Sequence, residues 1–363
     1  MNTSSNISPV MILAGGTGGH IFPGLAVANE LRSRSVPVIW LGSDGGMETR
    51  LVPQHEIAIE TIAVRGLRGK GVVGILSAPF VILRSLFQAI SKVRKHQPRA
   101  VLSFGGFAAG PAGIAAWILR KPLLVHEANR APGLTNRVLA KVADRVLCGF
   151  PDSFKNVAND VVGNPVRAEI AAIQTPEQRL ANRDGSIRLL VLGGSQGARA
   201  INGVVPKVVA ALKGKIEFEI RHQCGEKLLT DAKQAYEVAN VSASVEAFIQ
   251  DMASAYAWAD IVIGRAGALT IAELCAAGVG SILIPFPGAV DDHQACNAQY
   301  LKECGAGDWL RQTETLEHDL LQLLGEFCED RKFLMELAVA ARKAALPDAT
   351  KDVADIVLSE AQA

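Results

Sequence analysis

The densest chemistry in this chain lies in MILAGGTGGHIFPG, where Gly15, Gly16, Thr17, Gly18 and Gly19 run into His20. Glycine-rich backbone between two ordered segments lets N–H groups approach an anion. An imidazole, whose ordinary pKa is near ~6.5, accepts a proton at neutral pH. The pair suits a phosphate held beside a general base. Two further turns share the composition: LGGSQGAR (192–199) and SFGGFAAGPAG (103–113), the latter with Gly105 and Gly106. Three such turns imply more phosphate than one nucleotide carries, or more than one bound group. None fits the G-x-G-x-x-G dinucleotide fingerprint or the G-K-[ST] ending of a Walker A loop, which disfavours an oxidoreductase. Each turn taken alone also reads as a tight strand–helix connection without a ligand. His20 taken alone also reads as a capping or core histidine.

The second concentration is ADIVIGRAGALTIAELCAAGVGSILIPFPGAVDDHQACNAQYL (259–301). A helix opening at Ala268-Leu269-Thr270 carries about half a positive charge at its N-terminus and suits a diphosphate. Glu273, one turn in, suits ribose hydroxyls, although alone it reads equally well as a solvated helix charge. His293 and Gln294 suit sugar hydroxyls. Asp291-Asp292 is the one adjacent acidic pair worth testing for a metal, and a helix N-terminal cap is its favoured reading. No clear D-x-D pair occurs, and no metal or other cofactor is expected.

The elements that must position these groups follow from hydrophobic patterning. Short apolar runs bounded by Gly and Pro predict strands at 10–14, 36–42, 100–104, 122–127, 145–149, 187–193, 217–223, 260–264 and 281–287. Helix-length segments separate them, so the class is α/β with parallel sheets covered on both faces. LAGGTGGH and LGGSQGAR each follow an apolar strand and open a helix, about one domain length apart. This repetition predicts two Rossmann-like domains. The expected boundaries are 1–165 for an N-terminal domain, 166–345 for a C-terminal domain, and 346–363 for a helix returning to the first. The stretch 150–167 holds the crossover, and TPEQRLANRDGS (175–186) reads as a polar surface loop.

Composition narrows the classes. The chain has 363 residues, is 49% hydrophobic and carries a net charge of +1, which argues against a nucleic-acid partner. Six scattered cysteines without a C-x-x-C pair disfavour structural zinc and disulfides and suit a reducing compartment. MNTSSNISPV lacks the charged start of a secretion signal. The longest apolar stretches, 71–83 and 107–119, fall short of the roughly 20 residues a membrane span needs. Within 65–99, Leu76, Phe80, Leu83 and Phe87 fall near helical spacing. Arg65, Arg68, Lys70, Arg84, Lys92, Arg94, Lys95 and Arg99 surround them. Such a stripe suits an anionic membrane surface; a core helix with a basic exposed end is the competing reading, and from patterning alone the favoured one.

Nine blocks in order, GGTGGHIFPGLAVA, RGLRGKG, SFGGFAAGPAG, HEANRAPGLTNR, GNPVR, LGGSQGA, FIQDM, RAGALTIAE and DDHQACNAQYL, make the chain resemble the MurG family over nearly its whole length. These are GT-B glycosyltransferases that add N-acetylglucosamine to the lipid-linked muramyl pentapeptide of bacterial cell-wall synthesis. The resemblance implies two Rossmann-like domains facing each other across a cleft. It implies UDP-GlcNAc as donor, with Ile249 meeting uracil through its backbone and Glu273 taking the ribose. Ser195 with Ala268, Leu269 and Thr270 would take the diphosphate, Arg167 would lie near it, Gln294 and Asn129 would bind the sugar, and Ile271 and Ala272 would be further donor contacts. Thr17, Gly18 and Gly19 would reach the donor from the first domain, and Gly15, Gly16, Gly105 and Gly106 would cradle the acceptor pyrophosphate. His20 becomes the favoured base, with His126 and Glu127 as lesser contributors. Leu76, Phe80, Leu83, Phe87 and Trp117 become membrane contacts.

The same resemblance implies peripheral attachment at the cytoplasmic face of the inner membrane. It also implies a part in cell shape and division, and cell-wall synthesis and division proteins as partners. Phe107 stands where family members often carry Tyr, so no phenolic hydroxyl acts there. Other GT-B UDP-sugar enzymes, with a different acceptor or as a UDP-GlcNAc 2-epimerase, share much of this pattern. So does a nucleotide-binding module without activity. Turnover separates them: a binder returns UDP-GlcNAc unchanged, an epimerase makes its epimer, and a transferase releases UDP only with acceptor.

Overall fold

The structure, a computed structural model, describes residues 8–64, 71–194 and 196–362, with backbone alone for 71–78. It divides into two compact units. The first runs to Pro165 and takes in Asp348–Ala363; the second is Val166–Pro347.

In the first unit β1 (Val10–Ala14), α1 (Gly18–Ser33), β2 (Val38–Ser43), α2 (Glu48–Leu51), β3 (Ala58–Ile62) and α3 (Gly71–His96) come first. They are followed by β4 (Ala100–Gly105), α4 (Ala109–Ile118), β5 (Leu123–Glu127), α5 (Leu134–Leu139), β6 (Arg145–Cys148) and β7 (Asp160–Val161). The sheet order is β3-β2-β1-β4-β5-β6-β7 and the pairings are parallel. β1 is buried at every position, as a strand covered on both faces must be. The chain leaves β1 toward β2 on one side and reaches β4 on the other. The strand order therefore reverses between β1 and β4, and ligands of open α/β sheets bind beyond the carboxyl ends of the strands at such a point.

The second unit contains α6 (Ala168–Ala171), α7 (Pro176–Leu180), β8 (Ile187–Leu192), α8 (Arg199–Leu212), β9 (Phe218–Gln223), α9 (Leu229–Val238), β10 (Ser244–Glu246) and α10 (Met252–Trp258). Then come β11 (Ile261–Gly264), α11 (Ala268–Ala277), β12 (Gly280–Leu283), α12 (His293–Glu303), β13 (Gly307–Trp309), α13 (Leu316–Glu329) and α14 (Arg331–Lys343). Its parallel sheet runs β10-β9-β8-β11-β12-β13, reversing between β8 and β11. The last helix, α15 (Ala349–Glu360), buries Val353, Ala354 and Val357 in the core cluster that holds Val10, Ile12, Ile21 and Leu25 of the first unit. Ion pairs Arg34–Asp355 and Arg145–Glu360 fix it there.

One segment departs from expectation. Residues 175–186 are no plain surface loop: α7 lies within them, and Arg179 donates to the carbonyls of Ala259 and Gly278. Arg183 pairs with the buried Asp260. Long side chains with charged heads bond buried carbonyls here, a use of arginine that composition does not announce.

The basic end of α3 is tied to β3 by Glu60, which accepts from Lys92, Lys95 and His96. Burial pushes the Glu60 carboxyl up, but these donors outweigh it and hold it down at about 2. A depressed carboxylate stabilises the fold above its unfolded value of about 4.5, and that stability is lost as pH falls toward 2. Glu60→Gln is expected to cost on the order of 1–2 kcal/mol at pH 7, discounted for the exposure of Lys95. It should also flatten the decline of stability between pH 4.5 and 2, as read by denaturant unfolding at stepped pH.

Candidate functional site

In the first unit the turn after β1 meets the turn after β4. Gly106 has φ +98°, a left-handed conformation that suits glycine, and a Cβ there would lie 2.5 Å from the carbonyl oxygen of Gly15. The two glycine turns thus touch backbone to backbone. Thr17 precedes α1 but its side chain caps no N–H, and no acidic residue occupies the first turn. The N–H groups of Gly18 and Gly19, ahead of the first one bonded to the Thr17 carbonyl, suit an external anion.

His20 sits in that first turn, half-buried, with Nδ1 3.0 Å from the carbonyl oxygen of Gly15. A carbonyl only accepts, so Nδ1 carries the hydrogen and Nε2 keeps the lone pair. The Cβ position of Gly105 lies 3.3 Å from Nε2, so any side chain there would crowd the basic nitrogen. Gly16 serves differently from expectation: its N–H donates to Glu48 Oε2 at 3.1 Å, and Gly15 is buried. The N–H donors of this turn that suit an anion are therefore those of Thr17, Gly18 and Gly19.

His126 and Glu127 do not share the setting of His20. His126 is fully buried at the end of β5, its Nε2 donating to the Gly163 carbonyl at 2.9 Å. Burial pulls its imidazole down to about 4. Glu127 is 2% exposed and accepts from the backbone of Asn129 and Gly133 and from the amides of Asn129 and Asn136. A carboxylate so surrounded holds a loop in shape and has no lone-pair direction facing outward. Both residues brace the 126–137 segment. Asn129 is thereby fixed at the rim of that segment.

In the second unit the turn after β11 opens α11, whose cap, Gly267, offers no side-chain acceptor. Ala268 is buried, Leu269 and Thr270 are half-buried, Ile271 is buried in full and Ala272 is half-buried. Any contact Ile271 makes with a ligand runs through backbone. Glu273 is not a solvated helix charge. Its Oε1 accepts from Arg167 at 2.9 Å and its Oε2 from Tyr256 Oη at 3.0 Å. Burial pushes its carboxyl above the ordinary range, and attraction to Arg167 pulls it back part of the way. Ser195 lies outside the described residues.

Ile249 is buried, and its N–H donates to Gln223 Oε1 at 3.1 Å. Its carbonyl is then the backbone group that suits a base. Gln294 Oε1 accepts from the Phe286 N–H at 2.9 Å, so its amide hydrogens are the part that suits a sugar hydroxyl. Arg265 ties the turn to the segment just after β12 through the carbonyls of Ile284 and Pro285. Asp292 has φ +52°, caps nothing with its side chain and pairs with Arg311. Among the described residues no group of three His, Cys, Asp or Glu side chains is placed to hold a metal.

Four positions escaped the sequence reading: Glu48, Asn136, Gln223 and Tyr256. Each acts through a neighbour distant in sequence, and none stands in a glycine-rich turn.

On α3, Phe80, Leu83 and Phe87 are 72%, 51% and 63% exposed, so this apolar stripe is not core. Ser85, Ala89 and Val93 are the buried side of the helix. Trp117, on the neighbouring α4, is 52% exposed. Arg65, Arg68, Lys70 and the side chain of Leu76 lie outside the described residues. Among the described residues no helix is long and apolar enough to cross a membrane.

Comparison with known proteins places these features in context. Residues 10–148 match the glycosyltransferase family 28 N-terminal domain, and residues 188–353 match the family's C-terminal domain. The chain is 60% identical over 358 residues to a protein of Xanthomonas axonopodis pv. citri, covering 99% of this chain and 83% of that one. That protein is named UDP-N-acetylglucosamine–N-acetylmuramyl-(pentapeptide) pyrophosphoryl-undecaprenol N-acetylglucosamine transferase. A Xylella fastidiosa protein of the same name is 57% identical over 357 residues, covering 98% and 97%. The crystal structure of Acinetobacter baumannii MurG matches with a TM-score of 0.87 at 39% identity, covering 97% of this chain and 99% of that one.

Proposed function

This chain belongs to glycosyltransferase family 28, among its MurG members, and from that premise we propose how its two units perform the reaction. It transfers N-acetylglucosamine from UDP-GlcNAc to the C4 hydroxyl of the muramic acid in undecaprenyl-pyrophosphoryl-MurNAc-pentapeptide. The C4 oxygen attacks the anomeric carbon from the face opposite UDP, the C1–O bond to the diphosphate breaks, and UDP leaves with the electron pair. One displacement turns an α-linked donor into a β-1,4 link in peptidoglycan synthesis. His20 Nε2 takes the hydroxyl hydrogen; the observation that carries this is the Nδ1 contact to Gly15, which leaves Nε2 as the acceptor.

Alignment of two large substrates supplies about 7–11 kcal/mol of such a barrier, and the base roughly 10²–10⁴ in rate. Charge gathering on the leaving diphosphate is met by the α11 N-terminus, Ser195 and Arg167. Glu273 accepts the ribose hydroxyls, the Ile249 carbonyl meets uracil, and Gln294 with Asn129 hold the sugar. Thr17, Gly18 and Gly19 donate to the donor phosphates, and the Gly105–Gly106 turn with Gly15 borders the acceptor pyrophosphate. No metal enters this scheme.

The outward apolar stripe of α3 with Trp117, beside Arg84 and the basic helix end, supports a peripheral seat on anionic lipid at the cytoplasmic face of the inner membrane. A role in cell shape and division, with cell-wall synthesis proteins as partners, follows from the substrate. Phe80→Ser with Phe87→Ser is expected to cut binding to phosphatidylglycerol vesicles at least tenfold in sedimentation assays. Turnover of a short-chain soluble acceptor should stay within about twofold.

The deciding experiment incubates the protein with UDP-GlcNAc and a short-chain analogue of the lipid acceptor. UDP and a β-1,4 disaccharide should form together, and only with acceptor present. Release of UDP with an epimerised sugar, or no consumption of donor, would overturn the reading.

A further inference from the structure

Glu48 is completely buried in the first unit, and no acid–base role falls to it in the reaction above. A carboxylate out of water is costly unless hydrogen bonds replace its hydration. Here Oε1 accepts from the N–H and the hydroxyl of Ser43, at 2.8 and 2.7 Å, and Oε2 accepts from the N–H of Gly16 at 3.1 Å. Room for it is made by glycine: a Cβ at Gly15, Gly42 or Gly46 would lie 2.3–2.5 Å from its side chain. Burial pushes this carboxyl up, but the donors from Ser43 and Gly16 outweigh it and hold it below its ordinary value, so it is ionised.

The N–H that Glu48 receives and the carbonyl that receives His20 belong to one peptide group, Gly15–Gly16. A carboxylate drawing on the N–H side leaves more negative charge on the oxygen side, and hydrogen bonds in such a chain strengthen one another by perhaps 10–30%. The order is carboxylate, peptide, imidazole: Glu48 Oε2 to H–N of Gly16, then C=O of Gly15 to H–Nδ1 of His20. We propose that Glu48 is a positioning residue for the transfer reaction, acting through the Gly15–Gly16 peptide to fix the His20 ring with its hydrogen on Nδ1 and its lone pair on Nε2. The inference rests on His20 being the base. It gives a buried acid on α2, far in sequence from the glycine turn, the part that a carboxylate plays when it bonds a catalytic histidine directly.

The test joins spectroscopy to kinetics. In protein with ¹⁵N-labelled histidine, the His20 ring signals are identified by their loss in His20→Gln. Wild type should show the Nδ1–H tautomer of neutral His20. Glu48→Gln keeps the shape and removes the charge; it should leave His20 a mixture of tautomers and lower kcat at least tenfold. KM for UDP-GlcNAc should stay within twofold. The proposal is overturned if wild-type His20 carries its hydrogen on Nε2, or if Glu48→Gln leaves both the tautomer and kcat as they were. If Glu48→Gln does not fold, the wild-type spectrum decides. If the protein transfers no sugar at all, the functional reading fails while the ring signals still report whether Glu48 governs His20.

Discussion

His20→Ala is expected to lower kcat by roughly 10²- to 10⁴-fold, the range that loss of a positioned general base produces. The donor KM stays within about twofold. The expectation follows from where the interactions lie. In the proposed reading the donor's nucleotide is bound by Glu273, Ile249 and the α11 N-terminus, all in the second unit, whereas His20 belongs to the first. As the proposed base, its imidazole would act on the acceptor hydroxyl only as the bond to the anomeric carbon forms, stabilising the transition state without holding the ground state. Loss of such a group lowers kcat and kcat/KM together. Steady-state release of UDP with a soluble acceptor analogue measures both. An unchanged kcat with a raised donor KM would reassign His20 to donor binding.

Glu273→Ala is expected to have the next largest effect, on binding. Hydrogen bonds to a charged group contribute about 1.5–3 kcal/mol each, so the Kd for UDP measured by calorimetry should rise roughly 10- to 100-fold. Part of that loss comes through the neighbours, since the substitution removes the acceptor of the buried Tyr256 hydroxyl and of Arg167. Tyr256→Phe, which keeps the charge and removes one bond to it, should raise Kd less. Burial lifts the Glu273 carboxyl above the ordinary range. On acidification UDP affinity should therefore start to fall at a higher pH than a solvated glutamate would impose, and Glu273→Ala should lose that dependence. An unchanged Kd would separate Glu273 from the nucleotide.

Much of this architecture was legible as apolar runs. The nine strands read from the sequence form the interiors of the two sheets. The four that were missed, β3, β7, β10 and β13, are the edges. The reason is physical: an edge strand needs no continuous buried run. Ser244–Glu246 and Asp160–Val161 are short and have no buried position, and Ala58–Ile62 is interrupted by Glu60 and Thr61. The glycine turns were legible because a close backbone approach demands glycine. Their bracing was not. Glu48, Gln223 and Tyr256 are ordinary polar residues whose partners lie 32, 26 and 17 positions away. The burial and bracing of His126 and Glu127 were not legible either, because a buried polar pair that shapes a loop has the same letters as one that moves a proton. The apolar stripe of α3 was ambiguous by spacing, and only its exposure tells an outward stripe from a core one.

The close approach of Gly106 to the Gly15 carbonyl couples the permitted substitutions of two segments 91 positions apart (106 − 15). A methyl group added to Gly106 meets main chain, which cannot turn aside as a flexible side chain can, and Gly15 cannot grow because Glu48 fills its space. Neither turn can drift alone. A small-molecule inhibitor that rests on this pair of turns would face a target with few single-codon escapes.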